Sequence, residues 1–394
     1  MNNSNSKYIG PYVLDWTKLQ PCDIILSRWR KCEGNASNPS LKDRIVSGAI
    51  RPFSKGYSHA MLYFDGSIIH AHDPFVFSDN PQRISVANSD DLLFLRCRNL
   101  TDGQKVQIEK FVRGVIGSLY SIPQAVRTLV KRSGDEIDLS GVEFCSRLVA
   151  EAYQCAGIQL VKNFSYCTPG QFLDSPLLEN MGSCTRLTTD EDRARLSTKD
   201  MVHESMCRVK MLLEGVRELA KQDEFEIETI NSIFEYVLKF PNRDNDVLNC
   251  LKESQYLETW KEDAAAHGYR YNPLNMLFIR EHQPGDFCNE VRCLFDCAGR
   301  YGDELMMLNK IKGRLNTLDA VVELYLNMLK DIQNRATCLV AIYLSQPGVG
   351  PLAKLSAICE HLVKGSYSQY YALPVCNEAA KLRNEWERQI GMSV

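Results

Sequence analysis

The feature that most constrains the fold of this chain is a pair of strand-like runs joined by two residues. Tyr57-Ser58-His59-Ala60-Met61-Leu62-Tyr63-Phe64 and Ser67-Ile68-Ile69-His70-Ala71-His72 flank Asp65-Gly66. Asp-Gly between two such runs is the signature of a two-residue hairpin, whose central positions need positive φ. With Phe64 opposite Ser67, Met61 faces His70 and His59 faces His72. Strand alternation then sets His59, His70 and His72 on one face. The chain has only 7 histidines, so a face holding three of them is a candidate active-site face. Zinc sites usually add a carboxylate or thiolate at suitable spacing. The sequence places none there, and neither a metal nor a cofactor is expected. A structural histidine cluster is the plainer alternative.

The second constraint is the stretch Glu143 to Gly157. From Phe144 the apolar positions fall at 144, 148, 149, 152 and 156, the recurrence of a buried helix face. Gly157 supplies the C-terminal stop. Cys145 therefore sits in the first turn of a helix, where free N–H groups and the positive dipole end favour a thiolate. One helical cysteine is usually core packing. A histidine face upstream shifts the balance, because a thiol nucleophile needs a base and the base needs an orienting partner.

Around these two stretches the chain reads as follows. Strands are expected at 22–27 and 91–98, and a helix from Thr101 to about Gly117. Thr168 caps a turn with Pro169 at its first helical position. Residues 28–56 carry an excess of positive charge (Arg28, Arg30, Lys31, Lys42, Arg44, Arg51, Lys55) and could hold a helix at 40–50; a solvated loop is favoured there over an anionic-ligand site. Residues 181–200 are polar and read as a linker between a domain at 1–180 and an all-helical domain at 201–394. Helices in the latter are expected at about 203–221, 226–240, 246–266, 286–300, 303–332, 335–345, 352–364 and 377–390. No repeat or catalytic motif appears there, and the spacing of Cys288, Cys293 and Cys297 fits no zinc pattern.

Hydrophobic content of 44%, charged content of 24% and a net charge of -3 are those of a soluble globular protein and exclude the basic excess of a nucleic-acid binder. The 15 cysteines are scattered singly, which suits a reducing compartment. Met1 to Lys7 lacks the apolar core of a signal peptide, residue 2 is Asn rather than the Gly of a myristoylation signal, and no run approaches the ~18 apolar residues of a membrane span. A cytoplasmic protein without stable membrane insertion is expected, with export by a specialised secretion system left open.

The order strand, histidine hairpin, strand, helix, Cys-bearing helix resembles the circularly permuted papain-like cysteine hydrolases of the NlpC superfamily. The resemblance is to the YiiX/YaeF branch and, more distantly, to the lecithin–retinol acyltransferase relatives. Leu19-Gln20-Pro21-Cys22-Asp23-Ile24-Ile25 is similar to the group's opening L-x-P-G-D-I-I, Ser58-His59-Ala60-Met61-Leu62-Tyr63 to its H-x-G/A-I-Y strand, and Ile68-Ile69-His70-Ala71 to its V-V-E/H-A strand. Gly117 with Tyr120, Phe144-Cys145-Ser146-Arg147-Leu148-Val149 and Thr168-Pro169 resemble its later blocks. Cys22 stands where the group has glycine, the 28–56 insertion is long, and residues 200–394 match nothing in the family.

The resemblance implies an α+β fold: a permuted papain-like domain with an antiparallel sheet and Cys-bearing helix, followed by an all-α domain. It implies Cys145 as nucleophile, His59 as general base and His70 as the group orienting His59. The hairpin register leaves His72 as rival for that third position. The implied activity is a thiol hydrolase cleaving an amide or isopeptide bond in a cell-wall peptide or protein conjugate through an acyl-enzyme. A lipid acyl hydrolase or acyltransferase with the same residues is one alternative. A non-enzymatic interaction protein, binding a partner through its helical domain, is another.

Overall fold

The computed structural model describes residues 10–28, 54–64, 66–72, 75–120, 142–143, 145–343 and 346–391. The fold is mixed α+β with a helical C-terminal region. It divides into two compact units, one of Met1–Leu213 with Glu226–Ser232, the other of Glu214–Phe225 with Ile233–Val394.

The strands of the first unit are β1 (Tyr12–Leu14), β2 (Ile24–Ser27), β3 (His59–Phe64), β4 (Ser67–His72), β5 (Phe75–Asp79), β6 (Ser85–Val86), β7 (Leu92–Cys97), β8 (Leu119–Tyr120), β9 (Val142–Glu143), β10 (Leu178–Gly182) and β11 (Thr185–Leu187). One sheet has the order β10-β7-β2-β3-β4-β5-β8-β9, and a smaller one the order β11-β1-β6. All pairings are antiparallel except the short β8–β9 pair. The β3–β4 hairpin has the register that a two-residue turn dictates: Phe64 opposite Ser67, Tyr63 opposite Ile68, Leu62 opposite Ile69.

Both faces of this hairpin are covered, which is why its runs are nearly continuous in apolar residues. Ala60, Leu62, Phe64, Ile69 and Ala71 pack with Leu148, Val149, Ala152 and Tyr153 of helix α2 (Cys145–Cys155). Met61, Tyr63 and Ile68 pack on the other side with Leu14, Trp16, Ile25 and Phe94. Helix α1 (Asp102–Gly114) starts at a capping box of Thr101 and Gln104, two reciprocal bonds that satisfy its first N–H groups. Gly117, at φ +90, closes it, and a Cβ there would lie 2.6 Å from a Leu213 methyl.

Two contacts dock α2 and the strand beneath it. The Tyr153 hydroxyl donates to the Cys22 carbonyl at 2.5 Å. Cys22 has φ +74, a left-handed conformation that explains why glycine suits this position. Next to it, buried Asp23 accepts two hydrogen bonds from the Arg96 guanidinium at 2.9 and 2.7 Å. Burial pushes the Asp23 carboxyl up, and Arg96 pulls it partly back.

Several expectations need correction. Residues 181–200 are not a linker: β11 pairs with β1, and α3 (Asp190–Ser197) is capped by Thr189. Asp192, 2% exposed, accepts from Arg186 and from the backbone and side chain of Thr189. Burial opposes ionisation, yet these bonds hold its carboxyl down at about 2. The segment is largely exposed, and its polar residues supply the caps and ion pairs that fix its strand and helix. The division between units falls at residue 213, within α4 (Met201–Lys221). The helix expected at 40–50 lies outside the described residues.

The helical unit continues with α5 (Ile230–Lys239), α6 (Asp244–Glu253), α7 (Thr259–Ala266), α8 (Pro273–His282), α9 (Pro284–Leu308), α10 (Asn316–Tyr343), α11 (Val349–Val363), α12 (Tyr367–Tyr370) and α13 (Val375–Gln389). The expected helix at 246–266 breaks where Gln255 turns left-handed at φ +57. The expected break near 301 is absent, because Gly299 and Gly302 lie inside α9. A Cβ at either would crowd α13, at 2.9 Å from Cys376 and 2.6 Å from Val375. Those glycines serve close helix packing rather than termination. α10 likewise runs unbroken through the boundary expected at 332–335.

Candidate active site

Three strands bring three polar side chains together. The His59 Nε2 and His70 Nδ1 atoms lie 2.9 Å apart, the two rings set edge to face with centroids 4.9 Å apart. The His70 Nε2 lies 2.9 Å from the Asp79 Oδ2. The register explains both contacts. His70 pairs with Phe77 across β4–β5 and Ile68 pairs with Asp79, so Asp79 is the diagonal neighbour of His70. Extending the β3–β4 register, His59 is its diagonal neighbour on the other side. Diagonal positions on a sheet face are within reach of aromatic and long side chains. His70 is 8% exposed, while the Asp79 side chain is 43% exposed. The imidazole is sheltered and the carboxylate faces water.

Of the two candidates for the third position, His70 is in contact with His59; the side chain of His72 lies outside the described ones. Asp79 is a residue that sequence reasoning missed. Its signal was the alternating run Phe75-Val76-Phe77 directly after the hairpin, which makes a third strand and places residue 79 two positions beyond the partner of His70.

Cys145 begins α2, as its apolar spacing predicts, and is 4% exposed. The neighbouring backbone of Ala60, of Ser146 and of Cys145 itself acts to lower its thiol pKa. The sulfur thus lies against the start of β3, at the residue following His59. Ala60 packs on the helix side of the sheet, and by alternation His59 takes the other face at the strand's first residue. Burial pushes the Cys145 thiol up to about 11, and the backbone groups do not offset it. The expectation of a thiolate held low by the helix start is therefore corrected: desolvation outweighs the first-turn N–H groups, and the resting thiol is protonated at neutral pH.

The neighbourhood of Cys145 is fixed by its successor. The Ser146 hydroxyl donates to the Cys167 carbonyl at 2.5 Å, and the Cys167 thiol donates to the Ser146 carbonyl at 3.3 Å. This reciprocal pair ties the first turn of α2 to the segment leading into the Pro169–Asp174 turn, where Thr168 precedes Pro169 as expected. Of the basic 28–56 segment, the described cations are paired. Arg28 stacks over the Tyr57 ring at 4.7 Å and meets Asp90 at 3.6 Å, and Lys55 pairs with Asp174.

Among the described residues no three His, Cys, Asp or Glu side chains are arranged to hold a metal ion, and no helix is long and apolar enough to cross a membrane. No family model matches the chain, and no curated protein does.

Proposed function

We propose that the chain is a thiol hydrolase that forms an acyl-enzyme on Cys145, with His59 as general base and His70 as its orienting partner. What supports the reading is the hydrogen-bonded chain from His59 through His70 to Asp79. It starts at the end of β3 beside the Ala60 backbone that neighbours the buried thiol, although no hydrogen bond joins that thiol to the His59 ring among the described contacts. A protonated thiol must lose its proton as it attacks, so a base is required rather than optional. His59 takes that proton while Sγ bonds to the substrate carbonyl carbon. The first-turn N–H groups of α2 offer donors to the developing oxyanion. Collapse expels the leaving group, protonated by His59, and water then hydrolyses the thioester. An amide or isopeptide bond is taken as the substrate, with a lipid acyl ester as the alternative.

The test is acylation by a small activated ester, p-nitrophenyl acetate, mapped by mass spectrometry. Cys145 should acylate, and His59→Ala should slow this by roughly 10²–10⁴-fold. Brief iodoacetamide treatment, by contrast, should reach the exposed Cys155 and Cys207 before Cys145. Acylation of Cys145 at the same rate with and without His59 would overturn the proposal. Cell-wall peptides, ubiquitin-type conjugates and phospholipids, each compared with Cys145→Ala, then distinguish the substrate classes.

A further inference from the structure

We propose that Asp79 sets the direction of the hydrogen bonds through both histidines and thereby holds His59 in its Nε2–H tautomer, with the Nδ1 lone pair kept for the proton of Cys145. The inference deepens the thiol hydrolase reading and rests on it for its purpose, though not for its geometry. The argument is one of donors and acceptors. A carboxylate can only accept, so the 2.9 Å contact from Asp79 Oδ2 to His70 Nε2 places the proton on that nitrogen. A neutral His70 then carries a lone pair on Nδ1. The 2.9 Å contact between His70 Nδ1 and His59 Nε2 therefore requires His59 to donate from Nε2. Neutral His59 has one ring proton, and it is spent in that bond. Its Nδ1 is left as the basic nitrogen.

With His70 neutral, the reverse order of donors is ruled out while Asp79 is ionised. If His70 donated from Nδ1, its Nε2 would present a lone pair to a carboxylate oxygen, and His59 would carry its proton on Nδ1. That is the nitrogen the base reaction needs bare. When His59 does accept the thiol proton, the imidazolium keeps its Nε2–H bond to His70, so the chain needs no rearrangement during the step. Asp79 is accordingly a positioning residue that acts through His70, in the way that a carboxylate behind a ligating or catalytic histidine fixes the tautomer of the ring.

The experiment uses full-length protein labelled with ¹⁵N in histidine and reads the protonation of each ring nitrogen of His59 and His70 by long-range ¹H–¹⁵N correlation at neutral pH. Wild type should give Nε2–H for both. Asp79→Asn can turn its amide N–H toward His70 and allow the reversed chain, so His59 should move to Nδ1–H, with acylation of Cys145 slowed by about 10²–10⁴-fold. Asp79→Glu, which keeps a carboxylate, should keep the wild-type tautomers and recover part of the rate. Wild-type His59 in the Nδ1–H form, or unchanged tautomers in a folded Asp79→Asn protein, would overturn the proposal. Should Asp79→Asn not fold, the wild-type assignment alone decides. The tautomer reading needs no turnover. The expected tautomers together with acylation indifferent to His59→Ala would sink the hydrolase reading and leave the role of Asp79 standing.

Discussion

In the helical unit Glu290 on α9 accepts from Arg270 at 2.9 Å, from Arg335 on α10 at 3.0 Å and from Tyr269 at 2.9 Å, while Arg270 also reaches Asp263 at 2.9 Å. In the first unit His59, His70 and Asp79 make contacts of the same length. The two networks differ in what their protons can do. Guanidinium groups stay charged at any working pH, and each here faces a carboxylate, so the arginines of the helical network serve to join elements. The histidine chain is built of imidazoles, each able to carry its ring proton on either nitrogen, with an exposed carboxylate at one end. A network of fixed charges holds structure. One with a mobile proton is suited to chemistry.

The largest expected effect that separates them is on the rate at the first site. His70→Ala should slow acylation of Cys145 by up to about 10⁴-fold, the cost of leaving a base in the wrong tautomer in serine enzymes, with circular dichroism unchanged. His72→Ala should cost far less. A large loss in His72→Ala with normal acylation in His70→Ala would break the assignment of the orienting histidine.

The mirror-image experiment is Glu290→Ala. It removes one carboxylate partner from two guanidinium groups whose side chains are 17% and 12% exposed and leaves them Asp263 and Asp331, which should destabilise the helical unit by about 2 kcal/mol in denaturant unfolding, with acylation untouched. The same network should weaken in acid. Burial raises the Glu290 carboxyl, but Arg270 and Arg335 bring it below its ordinary value. A depressed carboxyl stabilises fully above its unfolded pKa, about 4.3, and the contribution is lost as pH falls through the folded value. Unfolding midpoints that hold steady from pH 5 to pH 3 would show that the network contributes nothing through its charge.

The smallest effect concerns Cys22, whose carbonyl docks α2. At φ +74 a side chain costs about 1–2 kcal/mol that glycine avoids. Cys22→Gly should therefore be more stable than Cys22→Ala by about 1 kcal/mol, against the usual ranking of the two residues, as read by thermal unfolding. Equal stabilities would mean that the turn adapts its backbone and does not constrain the helix above it.

Much of the first unit was legible in the chain because its signals are local. Asp65-Gly66 dictates a two-residue turn, and the turn dictates the register that puts His59 and His70 on one face. The spacing from Leu148 to Ala152 together with Gly157 delimits α2, and a threonine–glutamine box opens α1. The break expected near 301 falls inside α9, where Gly299 and Gly302 permit close helix packing, and polar residues misled at 181–200, where they cap and pair. What only the tertiary structure decided is whatever depends on residues distant in sequence or on a solvent boundary. Asp79 matters because β5 pairs with β4 in one register out of several its short run could adopt. His70 meets His59 because a diagonal neighbour, held from its far side by that carboxylate, is brought to 2.9 Å. The thiol of Cys145 is protonated at rest because the sheet and the turn before Pro169 exclude water from it. A helix start favours a thiolate by local dipoles, but desolvation is set by everything packed around the sulfur, and no stretch of sequence records that.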